Sequence, residues 1–243
     1  MKDNFSAQAH AYAQYRPYYP DEMIQYILSF VSNHDAVLDV ATGNGQVAAA
    51  LAPYFKKVYG TDISEKQLQN AKTAPNIYYS IGSAEDTGFD NEQFDLVTVA
   101  QAIHWFSFDN FYAEVRRIVK PGGIFAVLGY GLFNTNAETD KIIVHFYKNI
   151  VGPYWDAERK YIDDNYTTIP FPFNEIKTKQ FENNFTWTFE QLIGYLNTWS
   201  AVQHYVNANG VNPVDAIYPD LKTSWEHADK KVTFPLLLRI GKL

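Results

Sequence analysis

Two carboxylates and an imidazole in this 243-residue chain stand where a small polar ligand would meet them. Asp39 lies in an apolar run, Ala36 to Val40, and Ala41-Thr42-Gly43-Asn44-Gly45 follows before a helix-forming stretch from Gln46 to Leu51. Strand, glycine turn and helix start in that order present main-chain N–H groups, because glycine accepts positive φ and a helix N-terminus carries a partial positive charge. Asp62 lies 19 residues past Gly43, at the end of a second predicted strand. Its short carboxylate can accept hydrogen bonds from two ribose hydroxyls; starting the helix that follows is the competing role. His104 comes after a third apolar run, past Gln101. An imidazole, with an ordinary pKa of about 6.5, can act as general base or as donor to an anion, and a purely structural histidine is the alternative.

Two ligand classes compete for the turn. Gly43-x-Gly45-x-x-Ala48 satisfies the loose dinucleotide pattern, with Asp62 at about the spacing of a ribose-binding acid. Asp39 tips the balance, since a negative charge inside the turn repels a pyrophosphate and suits a cationic, phosphate-free nucleoside.

The elements that must position these groups alternate strand and helix, which implies a parallel sheet with crossovers. Strands are predicted over 36–40, 57–61, 76–81, 94–100 and 124–129. Pro20-Asp21-Glu22 starts a helix whose Met23, Ile24, Ile27, Leu28 and Val31 share a face, and an Ala- and Tyr-rich helix over 5–15 precedes it. Ser64-x-x-Gln67 reads as a capping box for a helix to Lys72, Asp109 as the cap of a helix through Val119, and Pro121-Gly122-Gly123 as a turn. Beyond Gly131 the alternation breaks. A helix over 137–154 leads into an aromatic, Pro-rich passage, 161–173, read as a lid or pocket wall. A strand over 179–187, helices over 189–206 and 213–225, and a last strand over 232–240 complete the chain.

The motifs VLDVATGNGQ, GTDIS, SAED, FDLVTVAQAIHWF and VKPGG, in that order, resemble those of class I S-adenosylmethionine (SAM) methyltransferases. More narrowly, YAQYRPYYP, AQAIHWF and TWSAVQHY resemble the small-molecule subgroup that includes trans-aconitate methyltransferase-like enzymes. Ala41 stands where the family more often has the first glycine of its turn. The resemblance implies an α/β, Rossmann-like fold: seven strands, mostly parallel, helices on both faces, an antiparallel C-terminal strand, and a lid insertion after the fifth strand. It divides one domain into N-terminal cover helices (1–35), a SAM-binding core (36–130), a lid and acceptor pocket (131–178) and C-terminal strands and helices (179–243). It also implies SAM as cofactor, held by Tyr12, Arg16, Asp39, Ala41, Gly43, Gly45, Asp62, Ile63, Gln67, Ala84, Glu85 and Gln101. In that reading Tyr12 and Arg16 hold the SAM carboxylate, Glu85 or Asp86 accepts from the adenine amino group, Gln101 and Ala102 face the methionine part, and His104 acts on the acceptor. Plainer roles stand beside these: Arg16 stacked on Tyr15 or Tyr18, Glu85 in a solvated acidic loop, Gln101 in structural hydrogen bonds. Trp105, Phe106, Tyr130, Trp155, Tyr161, Trp199 and Tyr205 are candidates for the acceptor pocket's walls, with core packing the competing role of each.

Composition narrows the partners. Twenty Lys and Arg against 27 Asp and Glu give a net charge of −7, unsuited to a nucleic-acid backbone. The chain has no cysteine, hence no disulfide framework and no cysteine-based metal site, and no metal is expected. MKDNFSAQAH lacks the pattern of a signal peptide and no stretch reaches 18 uninterrupted apolar residues, so a soluble, cytoplasmic protein away from membranes is expected. Monomer and homodimer are equally compatible with the sequence. The expected function is methyl transfer from SAM to a small organic acceptor, a carboxylate among the candidates. A non-catalytic SAM-binding regulatory protein is the main alternative, and a nicotinamide-dependent oxidoreductase the lesser one.

Overall fold

Each central strand sends apolar side chains to both faces of a sheet, and that alternation organises the structure, a computed structural model describing residues 15–243. On strand β1 (Ala36–Val40) Val37 joins one core and Leu38 the other; on β5 (Val119–Tyr130) Ile124, Ala126 and Leu128 face one way, Phe125 and Val127 the other. With both faces apolar, both must be covered. Helices α1 (Asp21–Leu28) and α2 (Gln46–Leu51), with the C-terminal helices, cover the first; α4 (Phe108–Ile118) and residues 162–173 cover the second. Tyr12, with nearly all of the predicted first helix, lies outside the described residues.

β2 (Lys57–Asp62), β3 (Ile77–Ile81) and β4 (Phe94–Ala100) pair in parallel with β1 and β5 in the order β3-β2-β1-β4-β5. The chain crosses over between β1 and β4, so a crevice opens at their carboxyl ends, where ligands of open α/β sheets bind. β8 (Lys231–Lys242) runs antiparallel beside β5. Its other edge takes two strands, β6 (Asn174–Ile176) at one end and β7 (Phe181–Thr186) at the other. The sheet thus has eight strands where seven were predicted; the three-residue β6 is too short to show a period.

Several boundaries move for identifiable reasons. α4 starts after Ser107 with no side-chain cap, so Asp109 lies in the first turn and is not the cap. The predicted turn at Pro121-Gly122-Gly123 lies inside β5, where Val119 already pairs with Phe94 and the register then shifts. α3 (Glu65–Gln69) ends before Lys72, although Ser64 Oγ accepts from Gln67 N as its motif suggests. The predicted helix over 137–154 is α5 (Ala137–His145), a π-helical turn (Phe146–Ile150) and a 3-10 turn (Gly152–Tyr154). The one over 189–206 is two helices, α7 (Phe189–Asn197) and α8 (Ser200–Asn209), while 213–225 begins as a 3-10 turn before α9 (Tyr218–Glu226).

The passage read as a lid divides in two. A 3-10 turn (Ala157–Arg159) and α6 (Lys160–Asp163) border the crevice, but from Tyr166 onward the chain lies on the sheet, with Phe171 and Phe173 against Phe125. Tyr166 is fully buried, and a side chain at Gly129 of β5 would run into its ring. Overfilling a packed site of this kind costs about 1–3 kcal/mol. Gly129→Ala is therefore expected to lower the unfolding free energy by that amount, read as a lower urea midpoint at an unchanged slope; equal midpoints would mean that Tyr166 moves without cost.

Candidate active site

The crevice holds two neighbouring cavities, both open to solvent, that share Arg16 and Gln101. Asp39, Ala41, Thr42 and Gly43 line the first, with Tyr130 across from them. His104, Trp105, Trp155, Asp156, Arg159, Trp199 and Ser200 line the second.

Asp39 is 1% exposed, and its carboxylate accepts from Thr42 Oγ1 at 2.6 Å and Thr98 Oγ1 at 2.8 Å. Burial nevertheless dominates and raises its pKa from 3.8 to about 6, with Asp62's charge adding to the rise. Among the described residues no cation pairs with it. Asp62 sits across the turn, half-buried, accepting Gly43 N at 2.9 Å on one oxygen and Ser64 N at 2.9 Å on the other. Asp62 therefore starts the next helix and braces the glycine turn at once, which leaves the ribose role compatible with the helix-start role.

Backbone conformation marks the same place. Ala41 at the end of β1 has φ 52° and Gln101 just past β4 has φ 55°, left-handed values that cost an L-residue about 1–2 kcal/mol. That is why a glycine commonly fills the position of Ala41. Gly43 has φ 56° with nothing among the described residues within 4 Å of where a Cβ would stand, so a ligand can approach the main chain there. Gly45 also has positive φ, but the Tyr79 ring fills the space beside it; its smallness serves packing, and it does not line either cavity.

The remaining predicted cofactor positions divide. Ile63 is 36% exposed, and Ile81, register partner of Asp62 on β3, is 63% exposed, so exposed isoleucines neighbour Asp62 both in sequence and across the strand pair. Ile81 escaped the sequence reading because its position depends on strand pairing. Gln67 and Ala84 are buried at 3% and 2%, and Ala102 at 8%. Glu85 has both oxygens engaged, one accepting from Ser83 Oγ and the other from Ser107 N, so it shapes its loop. Gln101 Nε2 donates to Tyr130 O at 2.9 Å while its side chain borders both cavities. Arg16 stacks on Tyr195, not on Tyr15 or Tyr18, and its terminal nitrogens donate to Tyr130 Oη at 3.1 Å and Thr198 O at 3.0 Å.

His104 differs from expectation in its acidity. It is 6% exposed, and burial, with the nearby Arg159 charge, lowers its pKa from 6.5 to about 3. It is neutral at working pH and a weak base. Nδ1 lies 3.4 Å from Tyr166 Oη; with that hydroxyl donating, Nε2 carries the proton and is a hydrogen-bond donor. Of the predicted walls, Trp105, Trp155 and Trp199 line the second cavity and Tyr130 the first, whereas Phe106, Tyr161 and Tyr205 line neither. Arg159 was missed, since a lone arginine in an irregular passage carries no local signal. Among the described residues no group of three or more His, Asp or Glu could hold a metal, and no helix is long and apolar enough to cross a membrane.

A cationic nucleoside fits this chemistry. The desolvated Asp39 carboxylate calls for a positive charge, the open Gly43 backbone admits a ligand, and the exposed isoleucines offer flat apolar surface beside Asp62. Comparison with known proteins agrees. The methyltransferase domain family matches residues 38–127. A Dictyostelium discoideum protein named as a methyltransferase is 32% identical over 249 residues, covering 99% of this chain and 95% of that one. A Saccharomyces cerevisiae protein named as a SAM-dependent methyltransferase is 28% identical over 178 residues, covering 70% and 60%. A solved structure from Anaeromyxobacter dehalogenans, described as a type II methyltransferase, superposes with a TM-score of 0.86 at 34% identity, covering 93% of this chain and 97% of that one. Likeness that runs the length of both chains, in sequence and in fold, places this chain in the class I SAM-dependent methyltransferases.

Proposed function

We propose that the chain methylates a small organic acceptor that carries an anionic group, with a carboxylate oxygen as the favoured target. The observation that carries this reading is the second cavity: it opens past Gln101 and Arg16 and sets an arginine and a neutral imidazole among three tryptophans. SAM, when bound, supplies a methyl group already activated by its sulfonium. The first cavity is its place in this reading, with Asp39 opposite the positive charge, Gly43 beside the ligand, Asp62 at the ribose and Ile63 and Ile81 at the adenine.

What the protein then contributes is placement and exclusion of water, the former worth about 7–11 kcal/mol when geometry is favourable. Trp105, Trp155 and Trp199 shield the second cavity. A carboxylate arrives deprotonated and asks for no base, which matches a His104 too weakly basic to remove a proton from a phenol or an ammonium. As a donor His104 can instead orient an acceptor oxygen. The likeness to trans-aconitate-type enzymes in AQAIHWF points the same way.

Labelled SAM offered with a panel of carboxylates, phenols and amines tests this. Label is expected in alkali-labile methyl esters. Label confined to amines would transfer the charge preference to Asp156, and no label in any acceptor would favour a regulatory SAM-binding protein.

Asp39 generates a second prediction. Its folded pKa of about 6 lies above the unfolded 3.8, so the folded state holds the extra proton. Its contribution to stability therefore falls as pH rises from about 4 to about 6, by on the order of 3 kcal/mol in all. Asp39→Asn, which keeps the shape, is expected to flatten this part of the stability profile. Affinity for SAM should show the reverse trend, weakening as pH drops through about 6 in the wild type and staying level in Asp39→Asn. Parallel calorimetric profiles for the two proteins would remove Asp39 from cofactor binding.

A further inference from the structure

Arg159 is held in an unusual way. Its side chain is 21% exposed, and its Nε donates to Tyr147 Oη at 2.7 Å and faces Asp163 Oδ1 at 3.4 Å. Tyr147 Oη in turn donates to the same Asp163 oxygen at 2.6 Å. The guanidinium plane lies over the Trp155 ring, 4.6 Å from its centroid, and over Tyr147 at 5.3 Å. Orientation is thus fixed from one edge and one face. Neither terminal nitrogen has a protein acceptor among the described residues, although Arg159 lines the second cavity. Arg16 contrasts with it, since both of its terminal nitrogens donate to protein oxygens.

The terminal donors face a cavity open to solvent, where a ligand can take the place of water. Two parallel N–H groups on a planar fork match an oxyanion. The surroundings reinforce the match. α8, ten residues long, starts at Ser200 on the same cavity, and its N-cap residue, Trp199, supplies no side-chain hydrogen bond. Its partial positive charge adds to that of Arg159. Nε2 of His104, 94% buried by residue, has no protein partner among the described residues. Asp156, the acid that also lines this cavity, lies 3.9 Å from His204 Nδ1.

We propose that Arg159 is the acceptor's anion anchor, and that Tyr147 and Asp163 are positioning residues that grip its Nε so that both terminal amino groups face the second cavity. This rests on the methyl-transfer reading above and names the residues that would select its acceptor. The oxyanion bound here is a carboxylate or a group of like shape and charge. Tyr147 belongs to the π-helical turn, Phe146–Ile150, and the chain reverses after it to bring Arg159 back over its ring. Selectivity therefore resides in a segment outside the cofactor-binding core.

Binding of benzoate and of its uncharged analogue benzamide tests the anchor, read by tryptophan fluorescence in the full chain saturated with the demethylated cofactor product. The wild type is expected to favour benzoate by roughly tenfold or more, in keeping with a bidentate charge-assisted pair. Arg159→Met should abolish the preference, and Arg159→Lys should keep part of it. Tyr147→Phe, which removes only an oxygen, and Asp163→Asn should weaken benzoate several-fold while SAM affinity holds; in turnover with a methylated carboxylate they should raise KM and leave kcat. A wild type with no preference, or Arg159→Met and Tyr147→Phe proteins that retain it, would overturn the proposal. The two readings fail separately. Benzoate preference without label transfer to any acceptor removes methyl transfer and leaves the anchor, whereas methylated carboxylates with an unaltered preference in Arg159→Met remove the anchor alone.

Discussion

A carboxylate enclosed at the end of the central strand sets the terms for everything around it. Asp39 lies between β2 and β4 with one threonine hydroxyl on each oxygen, and this is too little to offset the loss of water, as its raised pKa shows. Asp62 adds a second negative charge across the turn. The five residues from Ala41 to Gly45 are drawn between these two acids. One end follows Asp39 into a left-handed bend, and the middle donates its N–H to Asp62. Such a turn excludes phosphate and admits a cation.

The other half of the site is built by distant parts of the chain. Arg16 reaches the carbonyl of Thr198, 182 residues away, at the break between α7 and α8. Thr198 Oγ1 donates back to Tyr195 O, and Trp199 continues with an extended backbone, so the next helix begins at the cavity wall. The same joint braces Arg16 and aims a helix start. A single continuous helix over this stretch would bury Ser200 in its interior and leave the second cavity without that wall.

This division explains how much of the molecule could be read from its sequence. Strands β1 and β4 are largely apolar runs, and burial on both faces follows from those runs alone. Asp39, Gly43 and Asp62 share one βαβ unit, so their spacing carries the site's first half. The second half has no such local code. No glycine or proline marks the break at Thr198, because contacts from Arg16 and within α7 hold it. Arg159 gains its orientation from Tyr147 and Asp163, and His104 loses its basicity to burial by Tyr166 and to the Arg159 charge. These are properties of tertiary neighbours, and periodicity does not contain them. The two joined helices at 189–206 and the missed β6 have the same origin.

β8 is an interior strand that follows all its neighbours in sequence. β5 pairs with it on one edge, β6 and β7 on the other, and neither of the latter pairs with anything else among the described residues. During synthesis the edge of β5 therefore stays open until Lys231–Lys242 arrives, more than a hundred residues after β5 begins. Long-range pairing of this kind is slow to form, and an uncovered apolar strand is a template for association with other chains. Yield of native protein should then be governed by the rate at which this last strand slots into the sheet, a kinetic bottleneck remote from the chemistry that the sheet supports.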